Sequence, residues 1–273
     1  MIEIPEAAAL ARQAAGLLPG RTVSAAEAAQ SPHHFTWYTG DPAAYRELLT
    51  GRTFVGARAW GGHVELVLDD DLLLVLSEGA VARLLPPGAP VPAKHQLCLA
   101  LDDGAHLVVT VAMYGGIQAF RDGEADNEYY LTARERPSPL TDAFDAAELF
   151  AAEGADRLST KALLATEQRV PGLGNGVLQD ICWRARVHPR VRVGDLPDDR
   201  RAALVTAVPT VLRAMADAGG RDTERDLLGA EGGYRTVLSR RTLELPCPRC
   251  GGRVVKEQFL GGAVYACLTC QPR

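Results

Sequence analysis

Four of the six cysteines fall in the last 27 residues, as Cys247-x2-Cys250 and Cys267-x2-Cys270 with sixteen residues between the pairs. A Cys-x2-Cys knuckle delivers two thiolates from one tight turn, and two knuckles complete the tetrahedron that zinc prefers. The intervening stretches Arg253–Glu257 and Ala263–Ala266 read as two strands turning at Gly261-Gly262. The spacing therefore predicts a hairpin carrying one structural zinc, with Cys247, Cys250, Cys267 and Cys270 as ligands. Four thiolates leave no open coordination position, which excludes a catalytic role for that ion. No signal-peptide pattern and no long apolar run occur, which points to the cytoplasm, where paired cysteines serve metals rather than disulfides. Cys98 and Cys182 stand alone in apolar surroundings and read as small buried hydrophobes.

The rest of the chain divides by pattern into an α+β protein. The first twenty residues read as a helix, with Pro5 near its start and Pro19-Gly20 as its stop. Residues 21–135 are mostly β. Val64–Leu68 and Leu72–Leu76 flank the acidic turn Asp69–Asp71, and Leu97–Leu101 and His106–Val111 flank Asp102-Asp103-Gly104. Turns every eight to twelve residues suit a β-sandwich. After a linker at Arg136–Pro139 the pattern becomes helical, with helices expected over 142–153, 160–168, 176–186 and 198–218. Pro209 predicts a kink or a break in the last. The expected domains are 1–135, a β-sandwich with a flanking helix; 136–245, a helical unit; and 246–273, the zinc finger.

Charge is unevenly spread. The formal net charge is −5, yet residues 1–135 carry 9 Lys+Arg against 17 Asp+Glu, while residues 136–273 carry 20 against 17. A polyanion would be gripped by the C-terminal half. The acidic half would face a protein partner or stand away from the polyanion. Only Lys94, Lys161 and Lys256 are lysines.

Between two of the expected helices lies Val170-Pro-Gly-Leu-Gly-Asn-Gly176. Such a turn lets backbone N–H groups approach an anion at a helix N-terminus, although alone it also suits a plain connector. It is followed by Ala185-Arg-Val-His-Pro189, a long helix, Gly219-Gly220 and the zinc hairpin, and the chain opens Met1-Ile-Glu-Ile-Pro-Glu6. This order resembles the formamidopyrimidine-DNA glycosylase/endonuclease VIII family along essentially the whole chain. The resemblance implies an N-terminal β-sandwich, a helix–two-turns–helix module and a zinc finger. It implies DNA as the partner, duplex and damaged or distorted, and a bacterial protein associated with the nucleoid.

The resemblance also implies a chemistry, in which an N-terminal proline amine attacks C1′ of a damaged nucleotide and a neighbouring glutamate handles protons. Glu3 and Glu6 match the family's two glutamates, with Glu3 the candidate catalytic residue; both also suit a helix N-terminus. The nucleophile position, however, is Ile2. Gly62 stands where the family has a lysine, and Glu78 where a wedge enters the duplex. Val111–Gly116 replaces a space-filling loop, and Gly261-Gly262 a phosphate-gripping arginine. Lys161 and Asn175 match residues that hold the DNA backbone, with Arg184, Arg186, Arg190 and Arg192 nearby. His188 matches a structural histidine. Three readings follow: a DNA-binding relative that is catalytically degenerate; an active glycosylase and lyase using another terminal amine; or a regulatory, protein-binding role.

Overall fold

The computed structural model describes the chain from Met1 to Arg273. Helix α1 (Ile4–Leu17) opens it, with Pro5 in the first turn, where a missing N–H leaves no bond unmade. Ala7, Leu10, Ala11 and Ala14 form a stripe at helical spacing that faces the sheet core. Ile4 faces the other way, into the helical core. One helix thus touches both halves of the molecule.

Seven strands follow: β1 (Val23–Ala28), β2 (Thr36–Tyr38), β3 (Phe54–Trp60), β4 (His63–Leu68), β5 (Leu72–Leu85), β6 (Leu97–Leu101) and β7 (His106–Arg121). Their order is β1-β6-β7-β5-β4-β3, with β2 parallel to β7. The two end strands meet, because Thr22 and Thr53 bridge and the Val23 N–H donates to the Arg52 carbonyl. One hydrogen-bonded network thereby closes around one core, giving the expected sandwich from a continuous sheet. β5 and β7 are long enough to serve both layers, and a register shift between Glu78 and Ala80 marks the bulge where β5 bends. The acidic turn before β5 holds Asp70 and Asp71 at φ 57° and 55°, the left-handed backbone that suits a tight hairpin.

Two helices lie in the region read as β, α2 (Tyr45–Leu49) and α3 (Glu128–Glu135). Tyr130 of α3 packs with Leu73, Val75 and Phe120 on the far side of the sheet. This explains why Leu72–Leu76 is apolar without alternation: the strand is buried on both faces.

The helical half contains α4 (Ala146–Ala151), α5 (Thr160–Ala165), α6 (Asn175–Ala185) and α7 (Asp198–Asp217). α7 runs unbroken through Pro209, because Val208, Val211 and Leu212 anchor both sides of the proline in the helical core. After Gly219 and Gly220, both at positive φ, the chain returns to the sandwich. There Leu227 enters the sheet core, and its carbonyl accepts from the Leu84 N–H. Strands β8 (Val254–Phe259) and β9 (Gly262–Cys267) close the chain. Their turn is Leu260-Gly261, at φ 45° and 73°, one residue earlier than the sequence suggests. No helix is long and apolar enough to cross a membrane.

Candidate nucleic-acid interface

A cleft of about 390 Å³ is lined by Ile2, Glu3, Glu78, Lys161, Asn175 and Gly262, among others. It brings together residues from the start, the middle and the end of the chain.

Glu3 precedes α1 but caps α6. Its carboxylate accepts from the Gly176 N–H at 2.9 Å and the Val177 N–H at 2.8 Å. These are donors that the first turn of a helix leaves without intrahelical partners. Arg221 stands beside it, with Nη1 3.5 Å from Glu3 Oε2 and Nη2 2.7 Å from Glu6 Oε2. All three side chains are buried. Burial pushes the Glu3 carboxyl up, against the pull of Arg221 and the two N–H donors. Burial alone would weaken the Arg221 charge, but Glu3 and Glu6 more than restore it. The Met1 ammonium pairs with Glu224, on the segment after Gly219-Gly220. Neither Arg221 nor Glu224 stands out in the sequence. The only local signal is a pair of opposite charges just after a glycine pair.

Lys161 is buried rather than waving in solvent. Its ammonium donates to Asn175 Oδ1 at 2.8 Å and to the Phe259 carbonyl at 2.6 Å. Asn175 Nδ2 donates to the Ala263 carbonyl at 2.6 Å. Gln179 adds a bond from its Nε2 to that carbonyl and accepts from the Tyr265 N–H. The two residues expected to grip the DNA backbone fasten the hairpin to α5 and α6. Of three ammonium donors, one remains for a ligand. Burial, and then the charge of Arg190, lowers the Lys161 pKa. Arg190 is itself engaged by Glu257 and the Gln258 carbonyl and lies over the Phe259 ring. A Cβ at Gly262 would lie 3.2 Å from Lys161 Nζ and 3.3 Å from Asn175 Cγ.

The positions where the chain departs from the family pattern lie around the same cleft. A Cβ on Gly62 would sit 3.1 Å from Gly172 Cα and 3.3 Å from the Ile2 carbonyl oxygen. Glu78 adopts φ 58°, its carbonyl accepts from the Ile2 N–H, and its Oε2 is buried without a partner. Burial pushes this carboxyl up to about 7, so near neutrality a large share of it is uncharged. Val111–Gly116 is not a loop. It lies within β7, with Gly115 and Gly116 paired to Glu78 and Ser77. His188 is buried, and burial followed by Arg273 and Arg190 drives its pKa down to about 4, as suits a structural residue. Cys182 is buried as expected, but Cys98 is only partly buried, because it opens onto a surface hollow near His95 and Glu27.

The four sulfurs of the C-terminal knuckles converge within 4.8 Å of one another. Cys247 and Cys270 are 3.8 Å apart, and Cys250 and Cys267 are 3.5 Å apart. Zn–S bonds of about 2.3 Å in a tetrahedron require sulfurs about 3.8 Å apart, so the cluster can hold a metal ion of that size. Trp183 Nε1 donates to Cys247 Sγ at 3.4 Å, and Arg249 covers the Trp183 ring at 4.0 Å. This ties the cluster to α6.

Comparison with known proteins gives a consistent picture, although no family model matches the chain. The formamidopyrimidine-DNA glycosylase of Paracoccus denitrificans is 30% identical over 287 residues, covering 99% of this chain and 100% of that protein. The Roseiflexus enzyme of the same name is 31% identical over 242 residues, covering 85% and 86%. Among solved structures, the Lactococcus lactis Fpg protein in complex with abasic-site DNA superimposes with a TM-score of 0.83, at 22% identity, over 99% of this chain and 100% of that one. The MutM protein of Thermus thermophilus gives 0.81 at 24% identity, over 98% of each. These likenesses, together with the order of sandwich, glycine turn and four-cysteine hairpin, place the chain in the formamidopyrimidine-DNA glycosylase/endonuclease VIII family.

Proposed function

We propose that this protein is a DNA-binding member of the family that holds damaged or distorted duplex in the cleft and has lost the glycosylase and lyase chemistry. One observation carries the loss. Gly62, at the lysine position, is packed so closely against Gly172 and Ile2 that a side chain there would have to push backbone aside. Glu3 supports the same reading, because its carboxylate is committed to the α6 N-terminus and faces Arg221. The grip is supported by Lys161 and Asn175, which line the cleft beside the hairpin turn. The names of the relatives, and the abasic-site DNA bound by the Lactococcus lactis protein, favour DNA as the partner.

In this reading residues 1–135, 136–245 and 246–273 act as sandwich, helical grip and zinc finger. Cys247, Cys250, Cys267 and Cys270 hold one zinc, which would supply no chemistry and would fix the hairpin against Lys161 and Asn175. The protein works in the cytoplasm, at the nucleoid.

The alternative, an active enzyme with a non-proline amine, is favoured by one observation. The Met1 residue, which carries the terminal amine, lines the same cleft as Glu3, the candidate for handling protons. Borohydride trapping on oligonucleotides with an abasic site or oxidised bases separates the two, alongside intact-mass measurement of the N-terminus. DNA binding without a covalent adduct supports the proposal. An adduct that vanishes when the N-terminus is blocked overturns it. Absence of binding even at about 50 mM salt would remove DNA as the partner and leave the regulatory role, since phosphate contacts are strongest at low salt.

A further inference from the structure

At the cleft and beside its Tyr114 the chain exposes apolar side chains that neither core accounts for. Phe35 is 55% exposed, Trp37 50% and Met113 63%. Trp37 is the central residue of β2, and Phe35 stands in the turn just before it, closed by the Thr36 N–H donating to the His33 carbonyl. That segment is fixed: β2 pairs in parallel with Gly115–Ile117 of β7, and the Gly115 N–H donates to the Phe35 carbonyl at 3.0 Å. Trp37 lies 5.9 Å from the Tyr114 ring, tilted by 51°, and His34 packs edge-on to Phe35 at 4.9 Å. Met113 and Tyr114 line the same cleft as Lys161 and Asn175.

Rigid, solvent-facing aromatic rings beside a nucleic-acid cleft have a specific use. Each presents a π-face on which an unstacked base can lie, whatever its identity. An apolar patch on a segment held by backbone bonds loses little side-chain freedom when it does so. Continuity with the cleft selects the occupant. Met113 and Tyr114 share the cleft with Lys161 and the hairpin turn, and Trp37 packs against Tyr114, so a strand whose phosphates met Lys161 would have these rings within the same site.

We propose that Phe35 and Trp37 form a base-stacking platform for unpaired nucleotides of the bound DNA. This rests on the reading of the cleft as a DNA site and adds to it a preference for strands with exposed bases.

The test uses the full-length protein and three probes: a single-stranded oligonucleotide, its intact duplex, and that duplex with an abasic-site analogue flanked by 2-aminopurine. Affinities are measured by anisotropy across a salt series. Trp37→Ala should weaken binding to the single strand and the abasic duplex about tenfold, and Phe35→Ala with Trp37→Ala further, with the salt slope unchanged. Trp37→Phe should restore most of the affinity. Quenching of 2-aminopurine should occur with the wild type and disappear with Trp37→Ala. The proposal is overturned if the double variant, melting as the wild type does, binds all three probes within twofold of it. It is also overturned if the variants change only the sedimentation state, which would make the patch a contact between copies. Failure of the wild type to bind any probe overturns the DNA reading itself, whereas binding that is insensitive to Phe35 and Trp37 overturns the platform alone.

Discussion

Arg221 and Glu6, 215 residues apart, are joined by three hydrogen bonds in a buried site. The arginine also faces Glu3, so one cation is shared by two carboxylates at the junction of both halves. Removing a single member of such a group leaves uncompensated charge away from water, which typically costs about 3–5 kcal/mol. Arg221→Met should therefore lower stability by that amount in a denaturant melt. Glu6→Gln, which keeps some hydrogen bonds, should cost less. An Arg221→Met protein that melts like the wild type would show that the triad adds nothing.

Gly172→Ala should be among the most damaging conservative changes. Its φ is 78°, and an added Cβ would collide with the backbone nitrogen of Gly62. We expect a loss of about 3 kcal/mol or more, measured by thermal unfolding. Gly62→Lys should likewise destabilise the protein and should not create a borohydride-trappable enzyme. Recovery of lyase activity in that variant would show that the family's lysine fits here after all.

The raised pKa of Glu78 makes stability depend on pH. Between the ordinary value of 4.5 and about 7 the folded protein holds a proton that the unfolded chain releases. Its contribution is therefore fully present below 4.5 and lost as pH rises through about 7. His63 and His188, both lowered to about 4 chiefly by burial, act in the opposite direction as pH falls below the ordinary histidine value of 6.5. The difference between wild type and Glu78→Gln isolates the carboxyl. The wild type should lose melting temperature relative to the variant between about pH 5 and 8, and its DNA affinity should fall faster over the upper part of that range. Parallel melting curves would contradict this.

Metal analysis should give one zinc per chain. Cys247→Ser or Cys267→Ser should release it and free the hairpin that holds the Phe259 and Ala263 carbonyls against Lys161 and Asn175. DNA affinity should then fall, while the sandwich, whose core shares no residue with the cysteine cluster, should keep its far-ultraviolet signature. Undiminished affinity in a zinc-free protein would separate the hairpin from the grip.

Lys161→Gln tests the grip directly. Affinity should fall similarly for every DNA sequence, and the salt slope should shrink by about one phosphate contact. An unchanged slope would mean that Lys161 serves only to anchor the hairpin.

Much of this architecture is legible from the chain. Cys247 and Cys250 lie one knuckle apart and Cys267 and Cys270 another, so a local spacing already fixes which sulfurs can meet. The acidic turn at Asp69–Asp71 and the helical stripe of α1 are likewise short-range patterns, set by backbone geometry within a few residues. α3 escapes notice because Tyr130 packs on a sheet face that no local pattern marks as buried. The continuity of β7 through Met113 depends on its pairing with β5.

The sequence alone determined most of the elements, the metal-binding spacing and the family, since each is written in residues close together or in their order. The tertiary structure decided what Glu3, Lys161 and Glu78 are able to do. Glu3 looks like a cap for its own helix, and its carboxylate also caps α6. Lys161 reads as a residue that holds the DNA backbone, and it is buried with its ammonium on the hairpin's Phe259 carbonyl and on Asn175. Glu78 stands at the wedge position, and burial pushes its carboxyl up to about 7. In each case the deciding quantity is burial and the partner across the fold, and neither is set until distant segments pack together.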